Sequence, residues 1–148
     1  MMIYREEYRD LFSVSKEYYF AQCISADFGM GAGIAVQFNE RFDTKNRLTK
    51  IYPNYLNEYK SSGESGDCIL QDKVFNLITK ECYWNKPTYV SITEALIKMR
   101  ELCKLGNVKK VAMPLIGSGL DKLNWNTVST LIKGVFKDMD IEILVCRR

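Results

Sequence analysis

Histidine is missing from this chain of 148 residues. Without it there is no Ser-His-Asp or Cys-His nucleophilic site, no HExxH metalloprotease and no imidazole general base. Cysteine is present but unorganised: Cys23, Cys68, Cys82, Cys103 and Cys146 are odd in number and widely spaced. No CxxC pair occurs, so neither a zinc cluster nor a disulfide framework is indicated, and free thiols suit a reducing compartment. The N-terminal stretch Met1-Met2-Ile3-Tyr4-Arg5-Glu6-Glu7 has no apolar signal core, and no run approaches the about 20 apolar residues that span a bilayer. The expectation is a cytoplasmic monomer with no membrane partner. An excess of one charge is lacking too: 21 basic against 18 acidic residues leave a net charge of +3. That is too small and too evenly spread to mark a nucleic-acid footprint.

What is present describes an ordinary folded chain, with 47% hydrophobic and 26% charged residues. The length suits one domain, 1–148, whose core needs no staples. No repeat, low-complexity segment or linker divides it. The stretch Lys60-Ser61-Ser62-Gly63-Glu64-Ser65-Gly66-Asp67 reads as a polar surface loop.

Pattern alternates between strand and helix. Tyr18 to Ile24 reads as a strand that ends in a Ser-Ala-Asp-Phe-Gly turn. Ala32 to Phe42 carries Ile34, Ala35, Phe38 and Phe42 at helical spacing. Cys68 to Leu70 and Val74 to Ile78 flank Gln71-Asp72-Lys73 as a hairpin. Thr88 to Leu105 is a helix with Ile92, Ala95, Leu96, Met99, Leu102 and Cys103 on one face, preceded by Pro87 and stopped by Gly106. Val108 to Met113 reads as a buried strand, Asn124 to Met139 as a helix, and Ile141 to Cys146 as the last strand. This alternation predicts an α/β fold with helices on both faces of a sheet, where ligands bind beyond the carboxyl ends of the strands.

Two glycine-rich loops each follow a predicted strand and precede a helix: Gly29-Met30-Gly31-Ala32-Gly33-Ile34-Ala35, and Pro114-Leu115-Ile116-Gly117-Ser118-Gly119-Leu120-Asp121. Successive N–H groups near a helix start form an anion-binding concavity. Neither loop is a Walker phosphate loop, and Ile34 stands where a dinucleotide fingerprint needs its third glycine. Each alone is a tight connection; together they make a phosphate-bearing ligand an equal reading. Lys80, at a strand's carboxyl end, is either a solvated cation or a nucleophilic amine. Asp121 is either a turn residue or a general acid/base. The five cysteines, Trp84 and Trp125 read as packing residues.

An ordered set of strings goes further. Cys23-Ile24-Ser25-Ala26-Asp27 with Met30-Gly31-Ala32-Gly33-Ile34-Ala35, then Leu77-Ile78-Thr79-Lys80, Lys86-Pro87-Thr88-Tyr89, and Met113-Pro114-Leu115-Ile116-Gly117-Ser118-Gly119-Leu120-Asp121 resemble the macrodomain family. The likeness is to its terminal ADP-ribose protein glycohydrolase branch and runs from Asp10-Leu11-Phe12 to the final strand. It implies a three-layer α/β/α fold around a central mixed sheet, with ADP-ribose as ligand and product and neither metal nor cofactor. By the same resemblance Lys80 and Asp121 are catalytic. Asp10 and Leu11 lie near the adenine, Ser25 touches ligand, and Thr79 belongs with the substrate-binding residues. Gly31, Ala32, Gly33, Ile34 and Ala35 follow the distal ribose and diphosphate. Leu115, Ile116, Gly117, Ser118, Gly119 and Leu120 cradle the diphosphate, and Arg148 closes on the adenine. The sequence departs from the family in Arg9, where a glycine is usual.

The implied activity is hydrolytic removal of ADP-ribose from Glu or Asp esters on ADP-ribosylated protein, or from O-acyl-ADP-ribose as a deacylase. Alternatives of different kinds are the same chemistry on an ADP-ribosylated nucleic-acid base, as in antitoxin macrodomains, and a non-catalytic ADP-ribose reader. The retention of both Lys80 and Asp121 weighs against a reader.

Overall fold

Val74 to Thr79 are six consecutive buried residues, the mark of a strand covered on both faces. The computed structural model describes all residues from Met1 to Arg148 and places this strand inside a six-stranded sheet. The strands are β1 (Ile3–Tyr8), β2 (Tyr19–Ser25), β3 (Asp67–Gln71), β4 (Val74–Lys80), β5 (Lys110–Met113) and β6 (Glu142–Arg147). Their order is β1-β6-β5-β2-β4-β3. Every neighbouring pair is parallel except β3 with β4, which form the expected hairpin. The helices are α1 (Ile34–Phe42), α2 (Thr44–Ile51), α3 (Tyr55–Ser61), α4 (Tyr89–Gly106) and α5 (Trp125–Phe136). None is long and apolar enough to cross a membrane.

Period-two alternation divides the core between the two faces. On one face Phe75 and Leu77 of β4, Val111 and Met113 of β5, and Ile143 and Val145 of β6 pack under α4 and α5. On the other, Ala112, Leu144 and Val74 meet Phe38 of α1, while Ile24, Ile69 and Ile78 meet Leu48, Tyr55 and Tyr59 of α2 and α3. The result is the expected three-layer α/β/α arrangement around a mixed sheet.

Several local expectations shift. The helix expected from Ala32 starts at Ile34, because Gly33 is its cap with φ of 64°. The helix expected to end at Gly106 by a left-handed glycine includes Gly106 and is ended by Asn107, whose φ is 52°; asparagine tolerates that conformation. Thr88 and Asn124 are the N-caps of α4 and α5. The supposed surface loop 60–67 is partly helical, since Lys60 and Ser61 belong to α3. Its Gly66 is buried against α4, where a Cβ would stand 2.1 Å from the Ser91 carbonyl oxygen.

Strands β1, β2, β4, β5 and β6 run parallel, so their carboxyl ends share one edge of the sheet. The segments leaving that edge are 9–12, 26–33, 81–88 and 114–124, together with the chain end. The candidate chemistry lies in these segments and on the element ends they join, Lys80 at the end of β4 among them.

Candidate active site

A cleft of about 800 Å³ opens along this edge, within the size range of ligand sites. Both glycine-rich loops, Lys80, Asp121, Asp10, Leu11 and Arg148 line it. The central contact is an ion pair: Lys80 Nζ donates to Asp121 Oδ1 at 2.8 Å, with the two side chains 13% and 17% exposed. The pair is thus largely withdrawn from water yet open to the cleft.

A bulge places the lysine. Ile24 pairs with Ile78, but Ser25 pairs with Lys80, so Thr79 is an extra residue in the β2/β4 ladder. Bulges re-aim side chains and recur beside functional sites. Thr79, expected among the ligand contacts, is 2% exposed and is absent from the cleft lining. Its hydroxyl lies next to Cys23 because the alternation of the strand carries it away from the side on which Lys80 emerges. Ser118 is the other residue of the expected set outside the lining. Its Oγ turns back to the Ile116 carbonyl at 3.5 Å and its N–H to that of Leu115 at 3.1 Å.

The loop from 26 to 33 is held by Asp27. Its carboxylate accepts from the Ser25 hydroxyl, from Gly29 N–H at 3.0 Å and from Tyr83 N–H at 3.2 Å. Ser25 therefore lines the cleft with its hydroxyl proton already committed. Gly29 permits the close approach, since a Cβ there would come 2.9 Å from Tyr83 Cβ. Next, Gly33 caps α1 with no side-chain bond; Val36 N–H turns to the Gly33 carbonyl at 3.2 Å, leaving the Ile34 and Ala35 N–H groups free to meet an anion. Across the cleft, Gly117 has φ of 72° and is packed on Ile92 and Leu123, which closes the second loop tightly. Gly119 has open space around its Cβ direction.

At the other end Asp10 Oδ1 accepts from Phe12 N–H at 3.0 Å, and its Oδ2 lies 3.3 Å from Arg148 Nη2. Arg9, the departure from the family pattern, is tied to Ser13 by bonds of 3.0 Å and 3.1 Å and to Glu7.

Sequence reasoning missed the wall 83–86. Tyr83 and Trp84 are 64% and 67% exposed, packed edge to face at 5.0 Å, and line the cleft beside Asn85 and Lys86. Trp84 is therefore no core residue, unlike Trp125, which packs against the core and donates to Glu6 at 3.0 Å. The signal that could have revealed it was its position, four residues after a motif lysine and three before Pro87, which precedes the cap of α4. Cys23 and Cys146 also line the cleft. Burial, helped by the Asp121 carboxylate, pushes the Cys23 thiol up to about 12, and burial raises Cys146 as well. Both stay protonated near neutrality and are poor nucleophiles. The Lys80 amine, unlike the two thiols, donates to a carboxylate that can take its proton, Asp121.

No family model matches the chain. Among solved structures, the macrodomain of Thermus aquaticus DarG superposes with a TM-score of 0.83 over the whole of both chains at 20% identity. A Thermosipho africanus DarTG in complex with ADP-ribose gives 0.70, covering 94% of this chain and 40% of that one at 17% identity. These show the fold. Among curated proteins, the human ADP-ribose glycohydrolase OARD1 is 40% identical over 137 residues, 92% of this chain and 86% of the relative. With that identity over that span, the chain belongs to the macrodomain family, in its ADP-ribose glycohydrolase branch.

Proposed function

We propose that this chain hydrolyses ADP-ribose from ester-linked acyl groups, on Glu or Asp of modified protein or in O-acyl-ADP-ribose. The observation that carries the reading is the 2.8 Å Lys80–Asp121 pair in a cleft flanked by two glycine-rich loops. The uncapped start of α1 and the loop 115–120 suit a diphosphate without any basic patch. The relative with 40% identity carries the name ADP-ribose glycohydrolase, and one of the structural neighbours is described with ADP-ribose bound.

The chemistry follows from the pair. Lys80 Nζ attacks the anomeric carbon of the distal ribose, and the bond from that carbon to the acyl oxygen breaks. The proton shed by the amine passes to Asp121 and on to the departing carboxylate. The ribosylamine opens to an imine on Lys80, and water adds to it, freeing ADP-ribose and the amine. A retaining glycosidase would use two carboxylates here; an amine replaces one of them.

A second reading is favoured by the exposed Tyr83–Trp84 pair. Flat rings on the wall of the same cleft offer a stacking surface for a nucleobase leaving group, a contact that contributes about 1–3 kcal/mol per base. Side-by-side assays on a peptide ADP-ribosylated at glutamate and on an oligonucleotide ADP-ribosylated at a base separate the two. Release from the peptide, unchanged in Trp84→Ala, supports the ester reading. Release from the oligonucleotide alone, lost in Trp84→Ala, replaces it with the second. No release from either contradicts both.

A further inference from the structure

The segment that precedes α4 is unusually well fixed. Pro87 is buried and its ring sets φ. Thr88 and Ser91 form a capping box, with Ser91 N–H on Thr88 Oγ1 at 3.0 Å and Thr88 N–H on Ser91 Oγ at 2.9 Å. From this base three side chains reach the second glycine-rich loop. Lys86 Nζ donates to the Leu120 carbonyl at 3.2 Å. Tyr89 Oη accepts the N–H of Asn124 at 3.1 Å. Ile92 fills the space beside Gly117, where a Cβ would come 3.1 Å from its Cδ1. Root and tip of the loop are therefore both gripped by one helix start.

The Lys86 contact has a particular consequence. The Leu120 carbonyl oxygen and the Asp121 Cα belong to the same planar peptide unit. A cation holding that oxygen fixes the plane, and with it the point from which the Asp121 side chain projects. Few other bonds do this. The tip's own closures are Leu123 N–H to Gly117 at 2.8 Å and Lys122 N–H to Gly119 at 3.2 Å, on either side of the Leu120–Asp121 peptide. Leu120 is 64% exposed, with its Cδ1 over Gly33, so packing holds it only lightly.

We propose that Lys86 is a positioning residue, holding the Leu120–Asp121 peptide so that the Asp121 carboxylate stays aligned with Lys80. The proposal rests on the hydrolase reading for its kinetic consequence. It differs from a direct role, in which the same ammonium, which also lines the cleft, would bind the diphosphate.

The test uses the full chain with Lys86→Met, Lys86→Arg, Asp121→Asn and the Lys86→Met/Asp121→Asn double variant. Lys86→Met should lower kcat on the order of 10-fold, inside the ~10²-fold that a misplacement of about 1 Å can cost. KM, and the Kd for ADP-ribose by calorimetry, should hold. Lys86→Arg should recover the rate. In the Asp121→Asn background the Lys86 change should cost nothing more, because its effect passes through Asp121. The backbone order parameter of Asp121 should fall from roughly 0.85 toward 0.6 in Lys86→Met and not in Lys86→Arg. Additive losses, a raised Kd with kcat intact, or an unchanged order parameter would each overturn the proposal. If the unaltered chain had no turnover, the hydrolase reading would fail, and the order parameters alone would still decide whether Lys86 holds the peptide.

Discussion

Asp121 sits 41 residues from Lys80 in sequence and 2.8 Å from it in space. A carboxylate there can stabilise the resting ammonium or carry its proton during the reaction, and the two roles predict different kinetics. As a proton carrier it acts mostly in the transition state, so Asp121→Ala should reduce turnover by about 10²–10⁴-fold. ADP-ribose binding, measured by calorimetry, should survive because the loops supply it. Near-native turnover in Asp121→Ala would make the residue a turn constituent only. At this scale the sequence was legible through the motif strings: both members of the pair came from them, as did the glycines of the two loops. Thr79 was not legible from its motif string, which sets it next to Lys80, while the alternation of β4 turns it to the opposite face, beside Cys23. Trp84 was misread as packing because aromatic residues usually are buried.

Among the elements, α4 does more than cover the sheet. Glu94 on α4 accepts from Ser65 N–H at 2.8 Å, Ser65 Oγ at 3.0 Å and Gly66 N–H at 2.9 Å. The Ser65 backbone bond is the main cause that lowers its carboxyl below the ordinary value, with Gly66 adding and burial opposing. A depressed folded value means stability that is complete above the unfolded pKa, about 4.3 for glutamate, and lost as pH falls through the lower folded value. Urea unfolding at a series of pH values should show this acid limb, flattened in Glu94→Gln. A residual limb remains from Glu142, held low chiefly by its bond from Tyr18. An identical acid limb in Glu94→Gln would show that the contact does not couple to folding.

The elements that sequence reasoning overlooked have a common cause. Strand β1 is an edge strand with Arg5, Glu6 and Glu7 in its middle, so it lacks an apolar pattern. Helices α2 and α3 bury two residues each, Thr44 with Leu48 and Tyr55 with Tyr59, too few for helical periodicity to stand out. The long helix α4 and the buried β4 carried clear patterns and fell within a residue or two of their expected limits.

Over the whole molecule, five parallel strands deliver their carboxyl ends to one edge, and the loops there gather the cleft. Nothing in a net charge of +3 directs this chain to a polyanion; an anion would be met by backbone N–H groups instead. The central claim is that the Lys80 amine forms a covalent bond to the distal ribose. The most direct measurement is borohydride reduction during turnover of an ADP-ribosylated glutamate peptide, followed by mass analysis of the digested protein. Covalent attack predicts the mass of ADP-ribose less one water, plus two hydrogens from reduction of the imine, on the peptide that carries Lys80. It also predicts no such mass, and no turnover, in Lys80→Arg, whose guanidinium cannot deprotonate. An active Lys80→Arg, or added mass only at other residues, would contradict the account and leave direct attack by water assisted by Asp121.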